Sequence, residues 1–298
     1  MTMTTTMAIV TIITRLNASE RFGTMLDYEF MRTAFMASGV VAILSGIVGY
    51  FLVLRGQTFA GHALSHVGFT GATGAVLLGV SPLAGLVGFT LLAGIAMGAL
   101  GEKLASRDVA VGMMLSLALG FGLLFLHFYT AFATQATALL FGNVLGVSSS
   151  ALLSLVILAA LSLAALGVMA RPLLFSSLQP ELAEAKGVPM RLLSVAFLAV
   201  VGVAVAESAQ IVGVLLVFTL MVGPAAAAHN LSSRFGTGIA LAAGLALIES
   251  WGGIVLAWYT DWPTSFWITI MSGVIYLASV MAGPLRQVMA QRGFAKAR

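Results

Sequence analysis

Ala151-Leu-Leu-Ser-Leu-Val-Ile-Leu-Ala-Ala-Leu-Ser-Leu-Ala-Ala-Leu-Gly-Val-Met-Ala170 carries no charge and is apolar nearly all round. It has the length an α-helix needs to cross about 30 Å of hydrocarbon. In lipid a backbone must satisfy its own N–H and C=O groups, so a segment of this kind belongs to a helical bundle or a closed barrel. Barrel strands alternate apolar and polar residues with period two, and this stretch does not, so helix is the reading. Similar runs recur along the whole chain. Of 298 residues, 60% are apolar and 8% charged, against about a quarter charged in ordinary soluble domains. The 14 basic and 10 acidic side chains cannot cover a soluble fold of this size. The expected fold class is all-α, a polytopic membrane protein.

Working outward from this stretch, about nine transmembrane helices can be drawn: Met31 to Leu54, Phe59 to Val80, Pro82 to Leu100, Val109 to Phe128, Ala151 to Ala170, Leu192 to Ala206, Ile211 to Ala228, Gly238 to Tyr259 and Ser265 to Gly283. Tyr129 to Ser150 reads as a loop with a short helix or a partial re-entry, because Phe141 to Val147 is apolar but too short to span. Residues 1–30 read as an external or interfacial segment. There the short apolar run Met7 to Ile13 is followed by Arg15, Glu20 and Arg21, without the small-residue pattern of a cleaved signal peptide. Residues 31–285 form the transmembrane domain, with a long loop at 171–191, and 286–298 form a tail.

Alternating the nine spans places Arg55, Lys103, Arg107, Arg171, Lys186, Arg191, Arg234, Arg286, Arg292, Lys296 and Arg298 on one side, and only Arg15, Arg21 and Arg32 on the other. Basic residues concentrate in cytoplasmic loops, so the C-terminus and the 171–191 loop are expected in the cytoplasm and the N-terminus outside. Basic residues scattered one or two per loop give no footprint for nucleic acid. With no cysteine, disulfides and thiolate metal sites are excluded. Gly68, Gly71 and Gly74, and Gly94 with Gly98, have the small-residue spacing that lets helices approach closely. The 15 methionines read as core filler.

Two places carry chemistry. In the 171–191 loop, Pro180 suits a first helical position, Glu181 and Glu184 favour the positive end of a helix, and Gly187 suits its stop. That pattern predicts a two-turn helix from Pro180 to Lys186. In the second span, His62 and His66 stand at i and i+4 and share a helix face. Two imidazoles so placed can bind one transition-metal ion, and ionisable residues inside a membrane point to function. The residues between them, Ala63, Leu64 and Ser65, lack the glutamate of a His-Glu-x-x-His hydrolase. Both rings must be neutral to bind, so uptake of an ion through them should weaken below about pH 6.5. Glu249 falls inside the eighth span, where a carboxylate must be paired or protonated, and it is a candidate for lining a path. Glu207 and Asp261 are expected at the external face, solvated or in contact with an external partner. His127 and His229 read as residues of span ends.

Three stretches together carry a resemblance. Val53-Leu-Arg-Gly-Gln-Thr-Phe-Ala-Gly-His-Ala-Leu-Ser-His-Val-Gly68, Pro180-Glu-Leu-Ala-Glu-Ala-Lys-Gly187 and Val212-Gly-Val-Leu-Leu-Val-Phe-Thr-Leu-Met-Val-Gly-Pro-Ala-Ala-Ala-Ala228 are similar to segments in the permease subunits of bacterial ABC importers for zinc, manganese and iron. Asp261-Trp-Pro-Thr264 resembles that family's turn before its last span. The resemblance runs over roughly residues 30 to 285. It implies a permease of the vitamin B12/metal-chelate type in the bacterial plasma membrane, working as two copies. Cytoplasmic ATPase subunits would dock on the coupling residues Pro180, Glu181, Ala183, Glu184 and Gly187, and an extracytoplasmic metal-binding protein would deliver zinc or manganese. Where His62 stands that family usually has aspartate; a His–His pair leans toward softer ions such as zinc or copper.

The chain is not expected to be an enzyme or to hold a permanent cofactor. A phosphate-binding loop needs Gly-Lys-Ser/Thr, and none of the three lysines follows a glycine, so an ATP engine has to be a separate chain. Alternatives are a permease for chelated iron, an intramembrane zinc-dependent hydrolase, for which no catalytic acid stands beside the histidines, and an ion-gradient transporter acting alone.

Overall fold

The computed structural model describes residues 25–100, 104–128 and 139–296. The Met7 to Ile13 run, Arg15, Glu20, Arg21, Lys103 and the first part of the Tyr129 to Ser150 connection lie outside the described residues. The helices are α1 (Glu29–Leu54), α2 (Thr58–Leu77), α3 (Pro82–Ala99), α4 (Leu104–His127), α5 (Ser149–Leu178), the short α6 (Pro180–Ala185), α7 (Met190–Val212), α8 (Val217–Leu231), α9 (Phe235–Thr260) and α10 (Thr264–Lys296). A single 3-10 turn, Val144–Gly146, precedes α5.

Each of the nine expected spans overlaps one of these helices, and among the described residues seven helices are long and apolar enough to cross a membrane. The other two depart for identifiable reasons. Helix α2 has 20 residues, but two imidazoles lower its hydropathy. Helix α8 has only 15 residues, because the chain is broken at Gly213, whose φ of 83° and ψ of 154° only glycine adopts readily. Local signals start the helices where expected. Ser81 caps α3 through Ala84 N–H with Pro82 in the first turn, and Ser148 caps α5 through Ala151 N–H.

Among the boundaries that differ from the sequence reading, two helix ends are instructive. Helix α5 does not stop at Ala170 but runs through Arg171 and Pro172 to Leu178. Helix α7 does not stop at Ala206 but continues to Val212. In both cases the polar residue marks a change of surroundings, not the end of the hydrogen-bond ladder.

Helices α1 and α7 are largely buried at the centre, while α4, α5 and α10 turn most of their surface outward. The outward residues are apolar: Leu117 and Leu123 on α4, Leu161 and Val168 on α5, Leu277 and Met281 on α10. In water such a belt would be an aggregation surface; against lipid tails it is the expected exterior. Helix α3 packs closely along α7 and α2. A Cβ on Gly94 would fall on the Leu198 carbonyl, and one on Gly98 on the backbone of Val195, so these two glycines set the α3–α7 approach.

The break at Gly213 is closed by residues about 70 positions earlier. Val214 N–H donates to Leu139 O at 3.1 Å, Leu215 N–H to Leu140 O at 3.3 Å, and Asn143 N–H to Gln210 O at 3.3 Å. Unwound backbone at membrane depth is tolerated only when protein satisfies its polar groups. The 139–143 segment satisfies those groups here, and residues 139–147 form short helical turns packed against the break.

Candidate functional site

His62 and His66 lie in the first turns of α2, each half-buried. Their ring centroids are 4.9 Å apart with planes at 85°. Two imidazoles on one ion, with metal–nitrogen distances of about 2.0–2.1 Å and a tetrahedral angle, have centroids about 5 Å apart, so the separation of this pair is compatible with one shared ion. The His62 carbonyl accepts from Ser65 Oγ at 2.7 Å, which is a bond inside the helix and leaves the imidazoles uncommitted. Phe218, in the first turn of α8, sets its ring edge-on to His62, centroids 5.4 Å apart. Among the described residues no group of three or more His, Cys, Asp or Glu side chains gathers here or elsewhere. The pair therefore offers two protein ligands, half of what a closed structural zinc site uses.

The predicted cytoplasmic helix forms as α6. Gln179 O accepts from Ala183 N–H at 3.0 Å, and the helix ends at Lys186, with Gly187 at φ 79° donating to Glu184 O. Ala183 is fully buried, while Pro180, Glu181, Leu182, Glu184, Ala185 and Gly187 are exposed. A short helix pinned by one small residue and open on its other faces is free to contact something else.

The remaining candidates fall differently. Glu207, expected at the external face in solvent, is fully buried in α7 with no hydrogen-bond partner on either oxygen. The continuation of α7 to Val212 carries it inside, beside Ser208, whose hydroxyl meets Ser45 of α1 at 2.7 Å. A partner protein cannot reach it there. Glu249 is also fully buried, and both its oxygens lack hydrogen bonds. Ser272 of α10 lies alongside it but gives its hydroxyl proton to Thr219 O at 3.1 Å, so Glu249 lines no open path in this structure. Asp261 is exposed and ends α9 in the left-handed conformation, φ 56°. It borders a cavity of about 1090 Å³ lined mainly by apolar side chains, among them Trp258, Trp262, Phe266 and Phe141. His127 is exposed at the end of α4. His229, by contrast, is tied into the bundle, its ring stacked 4.1 Å from that of Tyr50 and its Nε2 3.1 Å from Tyr50 O.

Sequence reading missed Phe218, which looks like one more apolar residue until the Gly213 break is known. It also missed the contacts of Arg55. The Nη1 group donates to Ser176 Oγ at 2.9 Å, and the guanidinium lies 5.6 Å from the centre of the Phe197 ring. A basic residue directly before Gly56 and three positions before the start of α2 carries no local sign of such partners.

With the paired imidazoles, the exposed α6 and the broken α7–α8 unit in view, residues 27–283 match the ABC 3 transport family. The chain belongs to that family. Among its relatives, the manganese transport system membrane protein MntC of Listeria innocua is 26% identical over 261 residues, 87% of this chain and 93% of that protein. The manganese import system permease protein ScaB of Streptococcus gordonii is 26% identical, covering 89% of this chain and 96% of its own. The chelated iron transport system membrane protein YfeC of Yersinia pestis is 27% identical, with 89% and 90% covered. Among solved structures, PsaBC from Streptococcus pneumoniae in complex with Fab has a chain that superposes with a TM-score of 0.81 at 24% identity, covering 92% of this chain and 99% of that one. An inward-facing putative metal-chelate type ABC transporter superposes at 0.67 and 18% identity, with 87% and 89% covered. Those two likenesses establish the fold, an all-helical ABC permease architecture, and agree with the multi-pass membrane reading.

Proposed function

We propose that this chain is the membrane-spanning permease subunit of an ATP-driven importer of divalent metal ions, manganese or zinc first. Two copies enclose the path, a separate cytoplasmic ATPase docks on α6, and an extracytoplasmic metal-binding protein delivers the ion. The N-terminus lies outside and the C-terminus in the cytoplasm of the bacterial inner membrane, following the distribution of basic residues. The observation that carries the reading is the His62–His66 pair, 4.9 Å apart on one half-buried face of α2. A transported ion must be bound well enough to enter and weakly enough to leave. Two protein ligands, with water completing the shell, suit passage better than a closed four-ligand site.

The names of the relatives support metal as the cargo: manganese for MntC and ScaB, iron for YfeC. The donor types bear on which metal. Imidazoles serve zinc, copper, iron and nickel well, whereas manganese favours carboxylate and water, so zinc is the first competitor to manganese for this chain. Glu181 and Glu184 on α6 and Asp261 at the opposite end are the residues assigned to the ATPase and to the external partner. The exposed position of all three supports that assignment. An intramembrane hydrolase is disfavoured by the absence, among the described residues, of a third His or acidic group beside the pair.

The deciding experiment is uptake of manganese(II) and zinc(II) by proteoliposomes containing this chain with an ATPase subunit from the same organism. ATP-dependent uptake by the native protein, lost in the double variant His62→Ala/His66→Ala while the protein remains in the membrane, is the expected result. Uptake at the native rate in that variant makes the pair structural. Uptake with no ATPase present makes the chain a gradient-driven transporter.

A further inference from the structure

Helix α6 and the histidine pair are separate places in the sequence, and something must connect them if force applied at one is to be felt at the other. The connection can be followed residue by residue. Gln179 joins α5 to α6 without a loop: its N–H donates to Phe175 O, and its carbonyl accepts from Ala183 N–H, both at 3.0 Å. The last turn of α5 and α6 are therefore one hydrogen-bonded unit. Above that turn sits Pro172, inside α5, where the missing N–H opens the helix ladder and gives a place to bend.

The turn below Pro172 carries Ser176, buried, its hydroxyl donating to Leu173 O at 3.0 Å and accepting from Arg55 Nη1 at 2.9 Å. Arg55 is the C-terminal cap of α1. Gly56, at φ 61°, turns the chain, and α2 starts at Thr58, so His62 stands seven residues beyond Arg55. The second contact of the guanidinium, over the fully buried Phe197 ring of α7, backs it against the centre of the bundle. A planar guanidinium in contact with a hydroxyl and an aromatic face is more restricted in orientation than a flexible ammonium. The contact thus ties Ser176 directly to the α1–α2 turn.

We propose that Arg55, through its hydrogen bond to Ser176, is the positioning residue that transmits movement of α6 to the imidazole-bearing start of α2. The inference rests on the reading of α6 as the ATPase contact. Arg55 touches neither the ion nor nucleotide; it sets how much ion movement each cycle of α6 produces.

The test is the coupling ratio in the reconstituted complex of this chain with its ATPase, read as manganese(II) or zinc(II) taken up per ATP hydrolysed. Whichever ion the native complex moves is the probe. Arg55→Met should leave ATP hydrolysis close to native and lower the ratio by about fivefold or more, the size of a coupling interaction carried by one contact. Ser176→Ala, which removes only the hydroxyl, should lower it in the same direction. The double variant should be no worse than Arg55→Met, because both changes cut one link. A purely structural tie would change protein amount and hydrolysis together and leave the ratio alone. An unchanged ratio in either single variant, or losses that multiply in the double variant, overturns the proposal. Should Arg55→Met fail to assemble, Ser176→Ala decides by the same criterion. A native complex that moves neither ion with ATP overturns the importer reading itself, and this inference with it.

Discussion

Replacing His62 by phenylalanine separates ligand chemistry from packing at the place where the two are most easily confused. The ring of His62 touches that of Phe218 edge-on, centroids 5.4 Å apart at 81°. An aromatic pair of that geometry is worth about 0.5–1.5 kcal/mol beyond its buried area. Phenylalanine keeps a flat ring at the position and so retains that term, while alanine would lose it. What phenylalanine removes is the nitrogen donor. On the proposal that both imidazoles, 4.9 Å apart, hold one ion, the change takes one protein ligand of two. Loss of a group that merely orients a ligand costs about 10–100-fold in metal affinity. Loss of the ligand itself should cost at least as much, so uptake at sub-saturating ion should fall by at least about tenfold, equivalent to about 1.4 kcal/mol. The assay is initial-rate uptake of manganese(II) and zinc(II) into proteoliposomes, normalised to the permease recovered in the membrane. His62→Asp, which restores a donor, should transport with its preference moved toward manganese, since carboxylate is the harder ligand. Native-rate uptake by the phenylalanine variant refutes the reasoning: the ring would then be present for Phe218 and not for an ion.

The other expectations are these. Glu184→Arg, on the exposed face of α6, should uncouple ATP hydrolysis from uptake or prevent complex formation while the membrane domain stays folded; a complex with native assembly and uptake contradicts the docking role. Reporter fusions at Ser19 and after Arg298 should read external and cytoplasmic, respectively; two cytoplasmic ends would require an even number of crossings. Gly94→Ala should lower thermal stability by about 1–3 kcal/mol, the cost of forcing atoms into a filled contact, because its Cβ meets the backbone of α7. Gly88→Ala in the same helix, with nothing within 4 Å of the added carbon, should be neutral or stabilising by up to about 1 kcal/mol, and equal effects at the two positions would remove the close-approach argument.

Most of the bundle was legible because hydrocarbon demands long apolar runs and the sequence supplies them. Two of the errors fell where polarity was taken for a helix end. Arg171-Pro172 looked like a boundary, yet proline breaks one hydrogen bond and the remaining ladder carries α5 on to Leu178. Glu207 looked like a surface residue, yet α7 continues to Val212 and Glu207 is buried within it. The histidine pair was legible from spacing alone, since i and i+4 share a face in any helix. The Arg55–Ser176 contact was not, because its partners are 121 positions apart and nothing local to either residue refers to the other.

The break between α7 and α8 shows how such a distant contact shapes the site. Read as apolar sequence, Met190 to Leu231 is nearly continuous. A single helix of that extent would be about 63 Å long, twice the hydrocarbon thickness of about 30 Å, so the chain has to turn. It turns at Gly213, and it can do so within the bundle because the Leu139 and Leu140 carbonyls accept from Val214 and Leu215 N–H. Helix α8 then restarts at once, and its 15 residues, about 22 Å, are shorter than the membrane is thick. Such a helix reaches only part of the way across. Phe218, in its first turn, meets His62. The 139–143 segment therefore fixes where α8 begins, and with it the place of Phe218 beside His62, although it contributes no side chain there.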